Sequence, residues 1–185
     1  MDPAEEIVSL WLQQKGFFIM HGVKAGYGGK EIDFLGVDIK NDKKIHVEVH
    51  ASVFPVGPLR PWSPARYGKM PINQRVRLYY TNKFIGPIKK ETVQLINRCI
   101  EQTATRILGS KNYERRLVLG VLHQDDPENQ LRNEFNKFNV KVFLLKEILK
   151  DIQIKGTAKD QIGRFIQLLA AQFTDEAKAN LLRRK

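Results

Sequence analysis

From Lys44 to Ala51 apolar and polar residues alternate without a slip. Ile45, Val47, Val49 and Ala51 fall on one face of an extended chain, and His46, Glu48 and His50 on the other. That period of two predicts a strand with one face turned into a core. Two further extended segments precede it. FFIMHGV (17–23) reads as a strand, and glycines 26, 28 and 29 mark a turn before a second strand, Glu31 to Asp38. Asn41-Asp42 closes a hairpin into the alternating segment. Before all three, Ile7, Leu10 and Trp11 recur at helical spacing. Asp2 suits the N-cap there, Pro3 the first helical position, Glu5 the last place of a capping box and Gly16 the stop.

The pattern changes after residue 51. Residues 54–71 hold five of the eight prolines and predict an ordered loop, since proline removes a backbone donor and fixes φ. A basic helical stretch follows at 72–84, then a second helix from about Pro87 to Leu108. RRLVLGVLH (115–123) reads as a buried strand, Asp126-Pro127 opens a helix to about Phe138, and VKVFLL (140–145) is a continuous apolar strand. Such a run belongs in a sheet covered on both faces. The remainder, 146–185, looks helical with a basic end. The order helix, three strands, helices, strand, helix, strand, helix predicts an α/β fold with a mixed sheet. We expect one core domain over 1–145 and a helical extension, 146–185, packed on it.

Composition narrows the class. With 185 residues, 42% hydrophobic and 28% charged, the chain can bury a normal core. No apolar run is long enough to span a bilayer, and the acidic start MDPAEE has no basic signal-type region. Cys99, the single cysteine, reads as a structural thiol in an apolar helix. A cytoplasmic protein is the expectation. The net charge of +11 is unevenly spread. Residues 1–59 hold six Lys/Arg against eight Asp/Glu, 60–116 thirteen against three, and 117–185 twelve against nine. A basic field concentrated in mid-chain favours a polyanion, nucleic acid first.

The candidate chemistry lies in KEIDFLGVD and KKIHVEVHA. Asp33 can stand on one strand beside Glu48 and His50 on the next. Two carboxylates and a third polar group converging from adjacent strands suit a hard divalent cation acting on a phosphodiester. Each residue also has a plain structural account: Glu5 or Glu6 as helix-start acids, Asp33 and Glu48 as strand acids, His50 as an ordinary hydrogen-bonded histidine. Glu31 reads as a solvent-facing neighbour, His46 as lying toward the far end of its strand, and His123 as part of a capped loop.

The run helix, strand, EID, turn, VEV resembles the PD-(D/E)XK nuclease superfamily over roughly residues 4–51. The resemblance implies a restriction-endonuclease-like αβββαβ core with extra C-terminal helices. It makes Glu5 (preferred over Glu6 for its distance from Gly16) the helix acid, Asp33 the strand acid and Glu48-Val49-His50 the (D/E)-x-K position. His50 stands where the family has lysine. By resemblance, Asp33, Glu48 and the Val49 carbonyl would bind Mg²⁺ or Mn²⁺, with His50 orienting or deprotonating water. His50 as a metal ligand, or a weakened site in a binding protein, stays open. For DNA the expected contacts are Arg60, Trp62, Arg66, Tyr67, Lys69, Arg75 and Arg77, with Trp62 and Tyr67 either stacking on bases or anchoring the loop. The implied activity is DNA endonuclease. RNA cleavage, a non-cutting nucleic-acid binder and an assembly subunit are the alternatives, and a homodimer is the form that two-strand cutting suggests by analogy.

Overall fold

The computed structural model describes residues 3–26, 30–50, 70–86, 99–120 and 128–152. The element order is the one expected from the sequence. A helix, α1 (Pro3–Gln14), precedes three strands, β1 (Phe18–Lys24), β2 (Glu31–Asp38) and β3 (Lys43–His50). Helix α2 (Ile72–Tyr80) runs directly into a π-helical turn, Thr81–Ile85. Then come α3 (Cys99–Leu108), β4 (Glu114–Leu119), α4 (Glu128–Asn136), β5 (Val140–Leu144) and α5 (Leu145–Asp151). The five strands form one mixed sheet in the order β1-β2-β3-β4-β5, antiparallel from β1 to β3 and parallel from β3 to β5. This is an α/β architecture.

Local chemistry explains the boundaries. The β2–β3 hairpin turns at Asn41-Asp42, where Asp42 takes φ 47°, a conformation Asp tolerates in tight turns. The buried Asp38 carboxylate holds that turn, accepting hydrogen bonds from the Asn41 backbone at 3.2 Å and side chain at 2.6 Å. Strand β5 stops at Leu144, one residue short of the expected end. There the Glu147 carboxylate accepts the Leu144 N–H at 2.8 Å and starts α5 instead. Residues 51–69, 87–98 and 153–185 lie outside the described residues, so the proline-rich loop, the first half of the long helix and most of the C-terminal extension do too.

The alternation of β3 sorts the core. Ile45, Val47 and Val49 pack with Phe34 and Val118 against Ile7, Val8, Trp11 and Leu12 of α1 and Ile148 and Leu149 of α5. Trp11 Nε1 donates to Asp151 Oδ2 at 2.8 Å, tying those two helices together. On the other face Leu117 and Leu119 of β4 meet Val76 and Tyr79 of α2, Phe84 of the π-helical turn, and Leu131 and Phe135 of α4. Leu35 packs there with Ile100 and Ala104 of α3. His46, Glu48 and His50 therefore look toward α2 and the π-helical turn. Among the described residues no helix is long and apolar enough to cross a membrane.

Gly36 shows how tightly the antiparallel half is packed. A Cβ there would stand 2.9 Å from Ile45 Cγ1 and 3.3 Å from Ile19 Cγ2, both on paired strands. Gly36→Val should destabilise the fold by about 1–3 kcal/mol, read as a lower urea midpoint at unchanged slope. An unchanged midpoint would show that β1 and β3 have slack the packing here denies.

Candidate functional site

The site is built where the antiparallel ladder forks. The β2–β3 register runs inward from Asp38↔Lys43 to Phe34↔Val47. One step further places Asp33 opposite Glu48, at the C-terminal end of β3. Past that point the side chain of Asp33, not a strand partner's carbonyl, takes the next donor: Val49 N–H bonds Asp33 Oδ2 at 2.6 Å. The β1–β2 register is interrupted at the same level, pairing His21 with Phe34 and then Val23 with Ile32. Gly22, between them, has φ +65°. A Cβ at Gly22 would lie 2.7 Å from the Glu31 carboxylate, so the bend suits glycine on both counts.

Glu48 is wholly buried, which for a carboxylate demands partners. It has one on each oxygen. His46 Nε2 lies 2.9 Å from Oε1, itself wholly buried between the rings of Phe84 (4.9 Å between centroids) and Tyr113 (6.2 Å). Lys83 Nζ donates to Oε2 at 3.2 Å from the π-helical turn. The expectation that His46 lies away from the site is corrected. It stands two residues from Glu48 on the same strand face, and a side chain long enough to span that gap closes the pair.

Lys83 is the residue that the strand motif did not reveal. Burial alone would lower its pKa, but the charges of Glu48 and Asp33 outweigh burial and raise it, so the ammonium is retained. It brings a cation to the two carboxylates in the place where β3 itself offers His50. Arg75, Tyr79 and Lys83 recur every fourth residue, a helical spacing visible in the sequence. Only the docking of α2 on this face shows which strand residues it meets.

Asp33 is the most perturbed carboxylate of the site. Burial first, and then the charge of Glu48, push its pKa up to about 7, against the lowering effect of the Val49 hydrogen bond and of Lys83. His50 is half-buried at the end of β3, and burial, then the Lys83 charge, lowers its pKa. Its imidazole is therefore neutral at neutral pH and able to accept a proton. Glu5 stands near enough for its charge to act on both Asp33 and Lys83, and it pairs with His21 at 3.2 Å.

The donor set fits magnesium or manganese in kind, since Asp33 and Glu48 offer hard oxygens, and Asp33 stands half-open at the fork. Among the described residues no three His, Cys, Asp or Glu side chains converge to form a complete cage. A metal would lean on two carboxylates and on backbone or solvent oxygen. Of the expected nucleic-acid contacts, Arg75 is half-buried and Arg77 exposed on α2, whereas Arg60, Trp62, Arg66, Tyr67 and Lys69 lie outside the described residues. Glu31 is exposed and paired with Lys24, as a solvent-facing neighbour should be. No protein-family model, no curated protein and no solved structure matches the chain.

The raised pKa of Asp33 has a signed consequence. Its folded value, about 7, lies above the unfolded value near 3.9. The metal-free folded state then holds the proton more tightly between those limits. Asp33's contribution to stability is most favourable below about pH 4, falls as pH rises to about 7 and stays low above it. Asp33→Asn keeps an acceptor for Val49 and removes this loss. Its stability relative to wild type should grow from pH 5 to pH 8 by roughly 2 kcal/mol, after allowance for solvent screening. Thermal melts in EDTA at the two pH values check this, and a difference independent of pH would place the Asp33 pKa in the ordinary range.

Proposed function

We propose that this chain is a divalent-metal-dependent endonuclease of the PD-(D/E)XK superfamily, with a restriction-endonuclease-like fold, hydrolysing phosphodiester bonds in DNA. The observation that carries the reading is the convergence of Asp33, Glu48 and Lys83, from three separate elements, within reach of one another's charge. The element order and mixed sheet are those the resemblance implies. The excess of thirteen basic over three acidic residues in 60–116, which includes α2, supplies a field for a polyanion.

Asp33, Glu48 and the Val49 carbonyl would hold Mg²⁺ or Mn²⁺, which supplies charge neutralisation at phosphorus and a more acidic water. The chain's own residues do the remaining work. His46 fixes the Glu48 carboxylate through Oε1, so that its other oxygen faces Lys83 and the pocket. Lys83 places an ammonium where negative charge grows on the phosphoryl oxygens in the transition state. His50, kept neutral, orients the attacking water and accepts its proton. Glu5 acts from the pocket's edge through its charge.

A second reading has a specific observation behind it. Both oxygens of Glu48 are already engaged, by His46 and Lys83. A chain in which that clamp never opens would bind nucleic acid without cutting it.

Cleavage of supercoiled plasmid in Mg²⁺, Mn²⁺ or EDTA separates the two. We expect metal-dependent nicking or linearisation that Asp33→Ala and Glu48→Ala abolish, with salt-sensitive DNA binding retained. Lys83→Met should slow cleavage about 10²–10³-fold. Full activity in Asp33→Ala or Glu48→Ala would refute the site. No cleavage with any metal, alongside salt-sensitive binding, would favour the non-cutting reading. Cleavage of single-stranded RNA but not plasmid would move the substrate to RNA.

A further inference from the structure

Lys83 belongs to the pocket, and one turn before it on the same helical stripe stands Tyr79. Its ring is buried, packed edge-on against Phe135 at 6.0 Å between centroids and against His50 at 6.1 Å. Its hydroxyl is also buried, yet has no hydrogen-bond partner among the described residues. His50 Nε2, on the facing ring, is in the same condition. Buried polar atoms in native proteins are nearly always bonded, so an orphan asks for an explanation. The two rings are in edge contact, and for the Tyr79 hydroxyl a polar atom from outside the chain would supply the missing partner.

The surroundings define that atom's chemistry. The Glu48 carboxylate does not take up the hydroxyl: its partners are His46 and Lys83, and the Tyr79 oxygen is bonded to neither carboxylate. Burial, and then the charges of Glu48 and Asp33, push the Tyr79 pKa up, so the group stays a hydroxyl and has a proton to give. The guest must therefore accept a hydrogen bond from a phenol, and Lys83, one helical turn further on, brings an ammonium to the same two carboxylates. An anionic oxygen suits both, and in the pocket proposed above that oxygen belongs to phosphate.

We propose that the Tyr79 hydroxyl is a substrate contact, donating a hydrogen bond to a non-bridging oxygen of the phosphodiester held beside Lys83. This rests on the nuclease reading for its substrate but assigns a residue and an atom which that reading does not use. The orphaned hydroxyl then has a cause: it is desolvated in advance for a ligand, at some expense to the empty protein's stability.

Tyr79→Phe tests the point, because it removes one oxygen and keeps the ring against Phe135 and His50. Three quantities are measured on the full chain: melting temperature, affinity for a short DNA duplex in EDTA at fixed salt, and plasmid cleavage in Mg²⁺. We expect a melting temperature equal to or above wild type, affinity about tenfold weaker and cleavage about 10- to 100-fold slower. Wild-type affinity and cleavage in the variant would overturn the contact, and a lowered melting temperature with both intact would assign the hydroxyl to a structural water. Weaker affinity that merely tracks a lowered melting temperature would overturn it too. If the wild type binds duplex without cutting it and Tyr79→Phe binds more weakly, the contact stands and the hydrolase reading falls. If the wild type neither binds nor cuts, both fall.

Discussion

A buried carboxylate cannot stand alone, and the requirement to satisfy Glu48 organises much of this molecule. Its strand neighbour His46 answers from below and Lys83 from a helix across the face. For Lys83 to arrive, α2 must lie along the sheet with Val76 and Phe84 in the core beside it. For His46 to be held, Phe84 and Tyr113 must close over its ring. Removing either partner would leave a charge in low dielectric with half its hydrogen bonds, a loss of several kcal/mol in comparable buried pairs. Packing of the second core and placement of the pocket's chemistry are thus one constraint seen from two sides.

The sheet supplies the other half of the arrangement. Strands β2 and β3 stay paired for as long as their backbones can satisfy each other and then separate. At the fork the Asp33 side chain takes over the hydrogen bond to Val49. One carboxylate oxygen therefore has a structural duty, which fixes where the other can point. The same fork leaves Asp33 partly open to solvent while Glu48 is sealed. Two acids of similar intrinsic strength come to differ in exposure and in partners.

Much of this was legible in the sequence, for identifiable reasons. Strand periodicity placed Asp33, Glu48 and His50 correctly in their elements, since side-chain alternation in an extended chain is a geometric certainty. The hairpin at Asn41-Asp42 and the helix start at Pro3 followed from backbone chemistry that few other residues share. Period alone says which face His46 occupies, not how far its side chain reaches along it to Glu48. Lys83 was legible only as a basic residue in a helix. Its role depends on a contact 35 positions away in sequence, between a strand and a helix whose docking no local pattern encodes. The end of β5 differs by one residue from the apolar run, which does not reveal where a carboxylate will intercept the next backbone donor.

The π-helical turn carries a consequence of its own. Gly86 N–H reaches back five residues to the Thr81 carbonyl at 2.8 Å, one residue more than an α-helical ring encloses. In effect the helix contains an insertion. An α-helix advances about 100° per residue, so excising one position upstream of Lys83 would swing its ammonium about a quarter-turn away from Glu48. The identity of the cation at this pocket is therefore tied to a count of residues as well as to a choice of residue. Related chains can be expected to keep that length, or to move their lysine with it.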